Sequence, residues 1–342
     1  MINYNQIEKV KKFLTEKEIF YESDISLKDF SYFKTGGCAK IIIYPDNEDL
    51  LSLLLSFMYK NKLSFKTIGD TSNILFLDDC NYGIFISLQK LQSINYYYDE
   101  NKIVVQAGVS LPYFTRKALL WEVSGFEGLE GIPGSLGGAV FMNAGAYGNE
   151  IKDHLINVEG FHRDGTAFNF SNKECNFLNR DSIFRKNNEK YIIVTVSFSA
   201  NKGNANSIYQ KMELYHSKRH KYQDFMYPSL GSIFSTNDLY YDLASTDLKL
   251  KFFLKWYRRI FYSNKIRRET PINRKKLNNF ICNYYKWNFD KQPFSDKTMN
   301  CITNRGQHTD DFISYINLLK SKLPKSIKIE NEIMENNFFK NQ

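Results

Sequence analysis

Residues 131–148, G-I-P-G-S-L-G-G-A-V-F-M-N-A-G-A-Y-G, hold six of the chain's 18 glycines and no charged side chain. Glycine lets a main chain turn through positive φ and come close to a ligand, at an entropic cost that ordinary loops avoid. With no Lys or Arg in the run, an anion would have to be held by peptide N–H groups, which converging turns and helix N-termini supply. A phosphate is the natural guest. Alone, such a run is also the composition of a plain surface turn. A second small, polar turn lies upstream, however, where Gly69, Asp70, Thr71, Ser72 and Asn73 lead into an apolar I-L-F-L run. Its Ser and Asn either hydrogen-bond a ligand or cap the turn. Neither turn contains G-x-G-x-x-G, and G-x-x-x-x-G-K-[ST] occurs nowhere, so Rossmann and P-loop binding both lack their fingerprints.

The elements that must carry these turns follow from periodicity. Residues 3–20 read as a helix, with Ile7, Val10, Phe13 and Leu14 at helical spacing. Residues 39–44 read as a strand, 47–61 as a helix opened by Asp46 or Asn47, and 65–69 as another strand, an alternation that argues for β-α-β units. Short β-rich runs follow at 83–88, 103–107, 156–162 and 191–199, interrupted by a helix at 111–122. The Asn/Gly-rich stretch 201–207 is the best internal linker, with a charged helix running from it to about residue 222 and a substrate-side domain beginning there. Residues 309–323 form an amphipathic helix with Phe312, Tyr315, Ile316 and Leu319 on one face and Asp310 and Asp311 in the first turn. No internal repeat is found.

Composition sets the outer bounds. At 342 residues the chain exceeds the usual single-core limit, and two or three domains are expected. The polar start carries no signal peptide, and the apolar stretch 50–59 is far shorter than a bilayer span, so a cytoplasmic protein without transmembrane helices is expected. Five scattered cysteines form no C-x-x-C pair, which suggests neither a zinc site nor a disulfide framework. His216 and His220 share helical i, i+4 spacing but flank Lys218, Arg219 and Lys221, and they read as solvated side chains; no metal is expected. The net charge of +9 is concentrated: between Lys249 and Lys276 eleven Lys or Arg face one acid, Glu269, with Phe, Trp and Tyr interleaved.

Taken in order, the motifs resemble the UDP-N-acetylenolpyruvoylglucosamine reductase (UDP-N-acetylmuramate dehydrogenase) family, flavoenzymes of peptidoglycan precursor synthesis. F-K-T-G-G-C-A at 33–39 is similar to the family's entry motif, residues 69–73 to its G-x-G-S-N loop, and residues 131–148 to its G-I-P-G-S-V-G-G-A-x-x-x-N-A-G-A-Y-G signature. Downstream, R-D-S-I-F at 180–184 resembles Y-R-x-S-x-F, and P-S-L-G-S-I-F at 228–234 resembles P-S-A-G-S-x-F. Residues 295–300, 304–306 and 329–333 resemble the closing S-x-K-H-x-N, N-x-G and L-E-x-E-V pieces.

The resemblance implies an α+β protein. Its FAD-binding domain of the vanillyl-alcohol-oxidase (PCMH) type would comprise two subdomains at 1–88 and 89–200, followed by a smaller α+β substrate domain at 206–335. FAD pyrophosphate would lie on Gly69, Asp70, Thr71, Ser72 and Asn73, and on Gly131, Pro133, Gly134, Ser135, Gly137, Gly138, Asn143, Ala144, Gly145 and Tyr147. NADPH would reduce FAD, hydride would pass to C3 of the enolpyruvyl group of a UDP-sugar, and Ser232 would protonate C2. Arg180 and Glu332 would stabilise the enolate-like charge, a task suited to a guanidinium and a protonated carboxylic acid. Glu330 is the rival acid, two residues away on the same strand face. A monomer is expected.

The chain also departs from the family. Thr71 stands where the family usually has Gly, which tightens the turn unless its φ is negative. Asn179 replaces the tyrosine before the arginine, Thr298 the histidine of S-x-K-H-x-N, and Asp224 the proline expected after Gln223. The short spacing from Arg180 to Ser232 matches the family's shorter second type. A basic aromatic insertion near 240–275 replaces the A-G-x-L-I and G-L-K-G segments. It reads as a substrate-domain elaboration offering Lys or Arg to the UDP diphosphate. A helix at 249–268 resting weakly on an anionic membrane surface is a second reading. Nucleic-acid binding has no companion motif and is not expected. These departures leave open a paralogue acting on another nucleotide sugar, or a non-catalytic flavin- or nucleotide-sugar-binding protein.

Overall fold

The computed structural model describes residues 4–262 and 274–335. The first sheet orders its strands Phe20–Ser26, Cys38–Tyr44, Asn81–Ser87 and Phe65–Ile68; the last three run parallel and the first antiparallel to its neighbour. A parallel pair needs a crossover, and the helix Glu48–Lys60 supplies it. Asn47 caps that helix by accepting from Leu50 N, while Leu51, Leu54, Leu55 and Met58 bury one face completely. The opening helix is shorter than the sequence pattern predicts, Tyr4–Glu16, because the chain turns at Glu18 with φ +53° into the strand Phe20–Ser26. That strand was not expected; none of its residues is fully buried, so its sequence carries no buried/solvated alternation to announce it.

The second sheet is antiparallel: Ala167–Ser171, Leu155–His162, Tyr191–Ser199, Lys102–Gln106 and Ile94–Tyr97. Its central strand is buried along almost its whole length, so both faces are covered, one of them by the short helix Leu136–Phe141. The third sheet joins Ser229–Ser232, Thr298–Thr303 and Phe294–Ser295. The helix Thr309–Lys322 buries Phe312, Tyr315, Ile316 and Leu319, the face predicted from the sequence. Three helices, Leu239–Thr246, Leu248–Tyr262 and Arg274–Tyr285, occupy the inserted region, whose residues 263–273 lie outside the described ones.

The core gathers into one large cluster drawn from residues 10–200, a second drawn mainly from 230–323, and a small third cluster under the first sheet. Two segments tie them together. The helix Ala205–Tyr222 begins inside the stretch taken as a linker, capped by Asn204, and packs back on the turn Glu127–Leu129. The strand Glu332–Met334 pairs parallel with Ile74–Phe76, directly after the first glycine turn.

Asn300 fixes the strand that carries Ser232. Its amide donates to Phe234 O at 2.9 Å and its carbonyl accepts from Phe234 N at 2.9 Å, both buried. Asn300→Ala leaves Phe234 N unpaired, while Phe234 O keeps only its bond from Thr236 N, and lowers the unfolding free energy by about 1–3 kcal/mol, read from urea denaturation.

Candidate active site

The two glycine turns form one wall of a single cavity of about 810 Å³. That volume is the size of a cofactor or drug-sized ligand site. Its lining includes residues 69–73 and most of 131–147, together with Arg180, Ser232, Glu330 and Glu332, which stand far apart in sequence. Of the residues named from the sequence, Asn143 alone does not line it. Asn143 is fully buried behind the wall, donating to Glu150 at 3.1 Å and Leu178 O at 2.9 Å and accepting from Lys152 N.

The glycines are required by close approach. A Cβ on Gly69 would overlap Ser135 Oγ, one on Gly134 would meet Ser72 Oγ at 2.7 Å, and one on Gly137 would meet Ala107 Cβ at 2.8 Å. Bare backbone is thus packed where the turns meet, and Ser72 Oγ ties them by donating to Pro133 O at 3.0 Å. Ser135 caps the short helix Leu136–Phe141 by accepting from Gly138 N.

Thr71 takes φ +57°, not the negative value that would have relieved the turn. A β-branched residue there is strained. Its buried hydroxyl accepts from Tyr32 N at 2.9 Å, so the strain comes with a bond holding the 31–34 loop against the turn. Asn143, Tyr147 and Arg180 also take positive φ. Such strain persists where the surroundings over-determine the backbone, as they do at this wall.

Arg180 is locked. Its guanidinium donates to Gly145 O at 2.6 Å, and its Nε lies 3.5 Å from Glu330 Oε1. Arg185 reaches from the next turn to Arg180 O and Glu330 O, fixing both backbones. Burial pushes the Glu330 carboxyl above its usual range, with Arg180 the chief opposing influence. Burial also pushes up the Glu332 carboxyl, and the positive charges of Lys66 and Arg185 pull it partly back. Lys66 is itself buried on the cavity lining, where desolvation lowers its pKa. Ser232 is exposed into the site, on a strand entered through Gly231 at φ +70°.

Among the described residues, two of the three lining cations were not anticipated. Lys66 sits on the strand before the first turn, where the sequence reading saw only a β run. Arg219, read as part of a solvated basic stretch, is buried: it donates to Gly128 O at 3.2 Å and Glu130 O at 3.0 Å and stands over the Tyr147 ring. Its Nε is buried with no hydrogen-bond partner. Its neighbours His216, partly buried, and His220, exposed, are stacked, with His216 Nδ1 3.4 Å from Glu130. The signal for Arg219 was helical periodicity: it falls four residues after Tyr215, whose ring stacks on Tyr147.

Among the described residues of Leu239–Tyr262 and Arg274–Tyr285 none lines the cavity; Lys265, Arg267 and Arg268 of the same basic stretch lie outside the described residues.

Paired glycine turns on an α+β scaffold define a flavin-binding class of protein, and residues 39–171 match the family described as FAD binding domain. The fold is also that of the crystal structure of UDP-N-acetylenolpyruvylglucosamine reductase from Thermus caldophilus, with a TM-score of 0.66 at 22% identity over 93% of this chain and all of that one. UDP-N-acetylenolpyruvoylglucosamine reductase of Caldanaerobacter subterraneus is 34% identical over 235 residues, 69% of this chain and 76% of the relative. That of Carboxydothermus hydrogenoformans is 38% identical over 208 residues, 61% of this chain and 68% of the relative. The chain belongs to the UDP-N-acetylenolpyruvoylglucosamine reductase family.

The residues present fit FAD. Turns rich in glycine line the cavity, and Arg219 brings a positive charge to the same lining, fixed by the Gly128 and Glu130 carbonyls. Arg219→Met removes that positive charge and the bonds to the Gly128 and Glu130 carbonyls. The purified variant is expected to retain several-fold less FAD than wild type at equal circular dichroism, measured by flavin absorbance per mole of chain.

Proposed function

We infer that this protein is an FAD-dependent oxidoreductase that reduces UDP-N-acetylenolpyruvoylglucosamine, with NADPH as reductant, in peptidoglycan precursor synthesis. The observation that carries the reading is convergence. One cavity collects two glycine turns, a locked guanidinium, two partly buried carboxyls and an exposed serine from five separate stretches of chain. Bound FAD, once reduced by NADPH, supplies hydride to the enolpyruvyl double bond. The remaining work falls to the chain.

Residues 69–73 and 131–147 hold the cofactor through backbone N–H groups. Ser232 delivers the proton to C2, which completes addition of hydride and proton across the double bond. Arg180, fixed by Gly145 O, stabilises the negative charge that develops on the carboxylate side during hydride arrival. Glu332 is the acid assigned the protonated role; burial pushes its pKa up. Glu330 serves differently: its 3.5 Å pairing with Arg180 favours its ionised form and orients the guanidinium. In domain terms, the turns belong to residues 1–200, and Ser232 belongs to a substrate domain from about 206 whose last strand, Glu332–Met334, returns to the first unit.

The experiment is reductase turnover of the purified, FAD-bound chain. NADPH oxidation should depend on the enolpyruvyl UDP-sugar, and Ser232→Ala should lower kcat by about a hundredfold or more. Turnover within a few-fold of wild type in that variant would show that another group donates the proton.

The Glu332 assignment gives a pH prediction. The acid works protonated, so kcat falls as pH rises through its elevated pKa. Lys66→Met removes a positive charge that favours the carboxylate, so the fall moves to higher pH. Glu330→Gln should leave the position of that limb largely unchanged, and a pH–kcat profile of the three proteins distinguishes the two acids.

A further inference from the structure

The helix Leu248–Tyr262 has two apolar faces. Leu250 and Leu254 are buried in the C-terminal cluster, with Tyr257 packed against the same core, and this face alone accounts for the helix's place in the fold. Leu248, Phe252 and Trp256 follow one another at i, i+4 spacing on the opposite side, at 80%, 70% and 61% exposure. Single exposed apolar residues need no explanation, but three large ones in one stripe do. Residues 248–262 include Lys249, Lys251, Lys255, Arg258 and Arg259 and no acid. At 100° per residue, Lys251 and Lys255 border the stripe on one side, Lys249 borders it on the other, and Arg259 extends it by one turn. The acid that precedes the helix in sequence, Asp247, is engaged by Leu250 N and by the Tyr284 and Tyr285 hydroxyls.

We propose that the Leu248–Phe252–Trp256 stripe with its bordering cations is a docking surface for an anionic phospholipid membrane. The helix would lie in the plane of the interface, with the stripe at the headgroup–acyl boundary and the cations on lipid phosphates. The charge pattern selects this occupant. A second copy of the same face would bring like charges together around the stripe, which opposes association. The surface is attached to a soluble-type fold: among the described residues no helix is long and apolar enough to cross a membrane. Among the described residues of the helix none lines the cavity, so the stripe itself is not part of the reduction site.

The test is co-sedimentation of the full-length, FAD-bound chain with vesicles of equimolar phosphatidylglycerol and phosphatidylcholine, against vesicles of phosphatidylcholine alone. The wild-type chain should pellet with the anionic vesicles only, and less as NaCl is raised. The double variant Phe252→Ser, Trp256→Ser should lose partitioning by tenfold or more. The variant Lys251→Gln, Lys255→Gln should lose it several-fold, and both should keep wild-type turnover in solution without lipid. Wild-type chain remaining in the supernatant overturns the proposal, as does pelleting that the apolar double variant leaves unchanged. A dimer dissolved by that variant, or single-stranded oligonucleotide bound in preference to the vesicles, would assign the face to another partner and likewise overturn it.

Discussion

The site depends on one amide pair. Asn331 Nδ2 donates to Asn73 Oδ1 at 2.9 Å and also reaches Leu230 O at 3.1 Å, while Asn73 Nδ2 donates to Glu330 O at 3.1 Å and Asn73 O accepts from Glu332 N at 2.9 Å. Three stretches meet there: the first glycine turn, the serine-bearing strand and the segment with both acids. Asn331 is buried, so these bonds form where water does not compete, and a lost partner leaves unsatisfied groups. A displacement of the acid segment would therefore move Glu332 relative to Ser232 and to the turn together.

Around that junction the structure divides rigidity unevenly. The glycine wall is held by backbone contact and by residues strained into positive φ, while Arg180 is held by carbonyls and an ion pair. Ser232 instead sits on a short three-stranded sheet, pinned through Asn300 two residues along. Reactive groups supported by neighbours with fixed rotamers are those placed accurately enough for charge stabilisation. The insertion helices stand apart from this arrangement, and their exposed stripe is not explained by it.

Much of this was legible in the chain, for a physical reason. Glycine spacing directly records where backbone must approach backbone, so the cavity wall could be read from residues 69–73 and 131–148. Periodicity exposed the helices Glu48–Lys60 and Thr309–Lys322 because each buries one regular face. The Asn73–Asn331 pair and Lys66 were not legible, since each acquires its role from partners distant in sequence; Arg219 carried only the weak signal of its i, i+4 spacing from Tyr215. The strand Glu332–Met334 is three residues long and could not announce a parallel partner some 258 positions away, the separation between Asn73 and Asn331. The basic aromatic segment was noticed, but composition alone did not separate its core face from its solvent face.

The most direct test of the account is a single-turnover measurement. Chain loaded equally with FAD and reduced beforehand by NADPH is mixed with UDP-N-acetylenolpyruvoylglucosamine, and flavin absorbance is followed for wild type and Asn331→Ala. If the junction aligns the acid segment with Ser232, the variant takes up NADPH-derived electrons at a rate near wild type but is reoxidised by the sugar at least tenfold more slowly. Reoxidation at the wild-type rate would show that the amide pair does not position the reacting groups.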